Sequence, residues 1–320
     1  MRFVAIATAL VAAAASFVAV LAIRAVGTPA AHVSAHAPAH LTQPSPGKSE
    51  APKAPTTPKA PTTPAAASRH VALGIINYNL PYFEQQTKIV PAITAKYYNW
   101  GAAFPSSEVL ANHGLGVTTL IVLEPRTQNM KQLAAGAYDA YLRQWAAAER
   151  ALGLPVILSI APEANGDWYT WGKGHISPAL YKKIFRHVHN ALVKDGVRHV
   201  TWLWQVDRSS AFTEPLKLLW PGRAYVDVIG FDGQLRSRNA TFDSVFGSTL
   251  QEVRAFTNVP VMLSEVGVQE GPLQPEKAAS LFTAARKAPL SALVFFDVGV
   301  WDFDKNSATI DAIRTAAARK

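Results

Sequence analysis

The 320-residue sequence contains no cysteine, and that one absence removes disulfides, thiolate nucleophiles, zinc–thiolate sites and iron–sulfur clusters together. It also lacks the glycine-rich phosphate loops GxGxxG and GxxxxGKS, so nucleotide chemistry has no cradle. No GxSxG elbow is present either, and Ser264, beside Glu265, has no nearby histidine to complete a triad. Charge is sparse, at 17% of residues. The formal net charge of +9 is misleading, because the first 69 residues hold six cations and only one acid, Glu50. The remainder has 25 basic and 21 acidic residues, a net of +4, which does not describe a face built to track phosphates; nucleic acid is not an expected partner. Hydrophobic residues make up 49% of the chain, enough for a large core.

Residues 3–23 form an uncharged apolar run between Arg2 and Arg24. Segment 1–27 is therefore expected to be a signal peptide or a membrane anchor, making the protein secreted or tethered outside the cytoplasm. Small residues around Pro29 would serve a signal peptidase, whereas 21 apolar residues would also serve an uncleaved span. Residues 28–68 hold nine prolines and the repeated phrase KAPTTP, a composition that cannot bury enough apolar surface to order itself. A disordered Pro/Ala/Thr-rich linker is predicted there. His32, His36 and His40 lie in it at four-residue spacing, but Pro38 argues against a helix that would gather them.

Residues 69–320 leave 252 positions, close to the roughly 250 of a (β/α)8 TIM barrel. Eight β-branched or aromatic runs read as buried parallel strands: 71–78, 95–100, 117–123, 155–160, 199–206, 225–231, 259–264 and 291–297. Amphipathic periodicity predicts helices over 129–152, 178–195, 242–256, 275–287 and 307–318, while 80–94 reads only weakly as helix.

Chemistry in such barrels gathers where strands end, at the C-terminal face. Glu124, Glu163, Asp207, Asp232, Glu265 and Asp297 all follow apolar runs, interleaved with Trp168, Trp171, Trp204 and Trp301. Carboxylates beside aromatic platforms suit a neutral ligand rich in hydroxyls with apolar ring faces, namely a sugar. Glu163 and Glu265, from strands four and seven, are the candidate catalytic pair, since cleavage of a glycosidic bond with retention needs one acid and one nucleophilic carboxylate. Asn165, Trp168, Trp171, Trp204, Gln234, Trp301, Glu124 and Asp232 are candidate substrate-binding residues. A hard-cation site from Asp207, Asp232, Asp297 and Glu124 is the weaker alternative, for want of a dense D-x-D-x-D-G loop; no metal or other cofactor is expected.

The run Glu163-Ala-Asn165-Gly-Asp-Trp168, followed by Trp171-Gly172, resembles the acid/base motif of glycoside hydrolase family 26, a group of retaining β-glycanases typified by β-mannanases. HVTWLWQVD at 199–207, WPGRAYVDVIGFDG at 220–233 and LSEVG at 263–267 are similar to that family's fifth, sixth and seventh strands. The resemblance implies a (β/α)8 barrel with Glu163 as acid/base, Glu265 as nucleophile and Trp301 as the sugar platform. Asn165 would orient its loop or touch substrate, and Trp168 and Trp171 would shape the cleft. With the apolar run 3–23, the expectation is an exported, monomeric, endo-acting enzyme, with β-1,4-mannan first because the resembled family most commonly takes it, and β-glucan or xylan next. Two departures stand out. The family usually has His before the acid/base and Tyr closing the sixth-strand motif, where this chain has Pro162 and Gln234. Loss of two supporting side chains leaves a carbohydrate-binding barrel without turnover as the rival reading.

Overall fold

The computed structural model describes residues 71–77, 79–288 and 290–319. The apolar run 3–23 and the Pro-rich segment 28–68 lie outside the described residues. Among the described residues, no helix is long and apolar enough to cross a membrane.

Eight parallel strands close on themselves in sequence order: β1 (Ala72–Ile76), β2 (Ile93–Asn99), β3 (Thr118–Glu124), β4 (Val156–Ile160), β5 (Val200–Asp207), β6 (Val228–Leu235), β7 (Val261–Val268) and β8 (Leu290–Phe296). β8 pairs back onto β1, so every edge is hydrogen-bonded. All eight runs expected from the sequence are strands. Alternate residues divide the apolar material between two sides of the sheet. Ile93, Ala95, Leu120, Val122, Leu203, Val228, Met262 and Val294 pack with one another as the filling of the barrel. Their sequence neighbours, such as Ile121, Leu123, Trp202 and Trp204, belong to the larger core between sheet and helices.

The helices are α1 (Leu80–Thr87), α2 (Ser106–Gly114), α3 (Met130–Ala134), α4 (Asp139–Leu152), α5 (Pro178–Lys194), α6 (Leu216–Leu219), α7 (Phe242–Arg254), α8 (Gln274–Lys287) and α9 (Ser307–Ala318). In α5, Ser177 caps the Leu180 amide, and Tyr181, Ile184, Phe185, Val188 and Leu192 form the buried stripe that the 3.6-residue period requires. The single helix expected over 129–152 is two. Gly136 takes φ of 86° between them, a left-handed turn that ends α3, and α4 restarts at Asp139. Tyr141 Oη and Trp145 Nε1 then both donate to the Ala102 carbonyl at 2.8 Å, pinning α4 over the β2–α2 loop. The weak 80–94 segment contains α1, which Asn79 starts by accepting from the Tyr82 amide and Lys88 ends at φ 57°.

Candidate active site

β4 delivers Glu163 through a strained turn. Ala161 and Glu163 flank Pro162 with φ of 48° and 52°, a left-handed conformation that costs a residue with a side chain about 1–3 kcal/mol. Several bonds hold it. The Ala161 amide donates to Leu123 O at 3.0 Å, the Glu163 amide to Gln205 O at 2.9 Å, and Trp171 Nε1 to Pro162 O at 2.7 Å. Asn165, fully buried, completes the clamp: its Nδ2 donates to Asp207 O at 2.7 Å and its Oδ1 accepts from the Asp207 amide at 3.0 Å. The turn therefore projects the Glu163 carboxyl over the barrel mouth, where Trp168 Nε1 donates to its Oε2 at 2.8 Å. A Cβ at residue 166 would sit 2.2 Å from the Trp168 ring, so only glycine lets that indole fold back over the loop.

β7 supplies Glu265 from the opposite part of the ring. Tyr97, reaching across the mouth from β2, donates its phenolic hydroxyl to Glu265 Oε2 at 2.5 Å. Gln234 on β6 also lies where its amide favours the charged carboxylate. Asp232, near enough to both glutamates to feel their charges, is fully buried and accepts from Gln205 Nε2 and Ser264 Oγ at 2.6 Å each.

These surroundings separate the two glutamates electrostatically. Burial, then the charges of Glu265 and Asp207, push Glu163 up to about 8, and the Trp168 indole opposes that shift only in part. Glu265 is also raised by burial, but Tyr97 and Gln234 both pull it back toward ionisation. Tyr97 itself is held protonated by burial and by the neighbouring carboxylates, so it acts as a donor. Burial and neighbouring charges hold the proton on Glu163, while the donors Tyr97 and Gln234 favour the charged form of Glu265, the direction of division that acid-plus-nucleophile chemistry needs.

Several residues expected to line the cleft do not. Trp204 has no exposed surface; it points out of the barrel and packs edge-on against Trp220 at 5.1 Å. Trp171 is 1% exposed, stacked on Tyr169 at 4.3 Å, and supports the Glu163 turn from behind. Asn165 and Asp232 are fully buried and act within the protein. Glu124, 3% exposed, is bound by both Nε and Nη2 of Arg126, at 2.7 and 2.8 Å. Trp168 and Gln234 keep accessible surface at the mouth. Trp301 meets Gly267 two residues past Glu265 and is only 9% exposed, with the Arg236 guanidinium 4.8 Å over its ring.

Two participants were missed. Tyr97 falls inside a predicted strand, where only its parity with Ile93 and Ala95, which face the barrel interior, signals that it points at the site. Arg236 follows β6 and carried no motif.

The profile of glycosyl hydrolase family 26 matches residues 116–285, more than half of the sequence. The chain belongs to glycosyl hydrolase family 26. Within the family's reach, the chain is 29% identical over 194 residues to endoglucanase H of Acetivibrio thermocellus, covering 56% of this chain and 21% of that protein. It is 27% identical over 124 residues to a mannan endo-1,4-beta-mannosidase of Bacillus subtilis, covering 37% of this chain and 32% of that protein. The chain thus aligns with about a fifth to a third of these relatives' length. Among solved structures, a modular endo-beta-1,4-mannanase of Cellulomonas fimi shares the fold with a TM-score of 0.61 at 15% identity, over 78% of this chain and 71% of that one.

Proposed function

We propose that this family 26 barrel is a retaining endo-β-glycanase, acting as a monomer outside the cytoplasm on β-1,4-mannan. The observation that carries the reading is the pairing of a buried, proton-holding Glu163 with a Glu265 whose charge is supported by Tyr97 and Gln234. In the mechanism, Glu163 protonates the departing glycosidic oxygen while Glu265 attacks the anomeric carbon from the opposite face, giving a covalent glycosyl-enzyme. Once the leaving sugar departs, Glu163 is a carboxylate and takes a proton from water, which attacks the same carbon and frees Glu265. Two inversions leave the configuration retained. Tyr97 and Gln234 stabilise Glu265 as it regains its charge.

The mannosidase match supports β-mannan as the first substrate, and the longer match to endoglucanase H favours β-glucan as the second. The apolar run 3–23 supports export. The test is hydrolysis of β-mannan, mixed-linkage β-glucan and xylan by the full-length chain, with product size and anomeric configuration followed. The expected result is oligosaccharides released with retention by wild type and none by Glu265→Ala. Equal inertness of the two on every polymer, with sugar binding intact, would establish the non-catalytic binding barrel instead.

A further inference from the structure

The loop that follows β8 brings together three aspartates that play no part in the proposed chemistry. One carboxylate oxygen from each of Asp297, Asp302 and Asp304 lies within 4.8 Å of the others. Asp297 and Asp304 are 3% and 6% exposed, and Asp302 is half-buried. Like charges so placed repel one another in a site with little water to screen them. Among the described residues, the cation bonded to the group is Lys305, 3.3 Å from Asp302 Oδ2, with its own side chain 71% exposed.

Hydrogen bonding accounts for part of the cluster. Asp297 accepts from Asn77 Nδ2 and from the Phe303 amide, each at 2.7 Å, and Asp302 accepts from the Asp304 amide at 3.1 Å. Asp304 is the exception: its Oδ1 is buried with no donor among the described residues. A buried carboxylate with one orphaned oxygen, clustered with two further carboxylates, is an arrangement a hard cation satisfies, because a cation supplies at once a missing partner and the missing charge. Oxygens within 4.8 Å of one another can share one calcium ion, whose ligands stand about 2.3–2.6 Å from the metal. Asn306, which continues the alternation Asp302-x-Asp304-x-Asn306, is not available. Its Oδ1 caps the Thr309 amide at 3.2 Å and its Nδ2 donates to Gln274 Oε1 at 3.1 Å.

We infer that Asp297, Asp302 and Asp304 bind a calcium ion that fixes the loop carrying Trp301. Trp301 directly precedes Asp302 and packs on Gly267 beside the seventh-strand glutamate, so the ion would hold one wall of the cleft while taking no part in bond cleavage.

The test needs no substrate, and so fails or succeeds independently of glycan turnover. The full-length chain is stripped with chelator, titrated with Tb3+ while emission is excited through tryptophan, and melted with and without calcium. Wild type is expected to give sensitised emission that calcium displaces. Calcium at about 100 times its dissociation constant should raise the melting temperature by roughly 5–10 °C. Asp304→Asn should lose both responses, yet in chelator melt no lower than wild type, because one of three repelling charges is gone. Asp302→Asn, at the less buried position, should lose the same signal and guards against a folding defect in the first variant. Equal melting of wild type in calcium and in chelator, without sensitised emission, overturns the inference. So does emission that persists unchanged in both variants, which would place the ion elsewhere.

Discussion

The hydroxyl of Tyr97 lies 2.5 Å from Glu265 Oε2, joining a strand on one part of the barrel to a carboxylate on the far side of the mouth. Gln234 occupies the sixth-strand position where the family usually has a phenol, and in this chain a phenol arrives from β2 instead. Donors to Glu265 thus come from two strands, β2 and β6.

Tyr97→Phe keeps the ring and removes the donor. A hydrogen bond to a charged group contributes about 1.5–3 kcal/mol, so kcat is expected to fall about 10- to 100-fold. Because Tyr97 lowers the pKa of Glu265, its loss should also move the acidic limb of the pH–rate profile upward. Steady-state kinetics across pH checks both, and an unchanged acidic limb would remove Tyr97 from the site.

Trp168→Phe tests the other carboxyl group. The indole bond favours the charged form of Glu163, so its removal raises that pKa further and keeps the acid protonated to higher pH. The basic limb of the profile should shift upward, for the same reason and in the same direction as the acidic limb in Tyr97→Phe. A downward shift would contradict the bond assigned here.

Burial of Glu163 also has a signature in stability. Its folded pKa, about 8, lies above the ordinary carboxylate value, so the folded state binds more protons than the unfolded one across that interval. Stability from this group is present at acid pH and lost as pH rises through about 8. Asp207, pushed up to about 6 chiefly by burial, adds to the same slope at its lower end. Thermal melts of Glu163→Gln should show a shallower decline between pH 5 and pH 8 than wild type, together with loss of hydrolysis.

Asn165→Ala removes both side-chain bonds of the clamp between the β4 turn and Asp207. Leaving those two part-buried main-chain groups unpaired costs about 1–3 kcal/mol each, so chemical denaturation should report a loss of roughly 2–6 kcal/mol. If Asn165 instead bound substrate, the variant would change KM and leave stability untouched.

The barrel was legible because parallel strands covered on both faces write themselves as unbroken apolar runs, and all eight were found. α1 and α2 were not. They are short, and each buries only two or three side chains, too few to impose a helical period. Glu163 and Glu265 were legible because they follow strand ends. Trp204 was misplaced because position along a strand does not say which side the residue faces. Its neighbours Leu203 and Gln205 point inward, and that parity turns Trp204 toward the helices. Tyr97 was overlooked for the converse reason: it obeys inward parity but sits mid-run, before the end where functional groups were sought.

The left-handed turn at Ala161 and Glu163 is held against its own preference by bonds from three neighbouring segments. A conformation maintained only by its surroundings is the first to relax when those surroundings loosen. Warming or mild denaturant should therefore disarm the acid before the barrel melts, and heat inactivation of this protein will precede its loss of secondary structure.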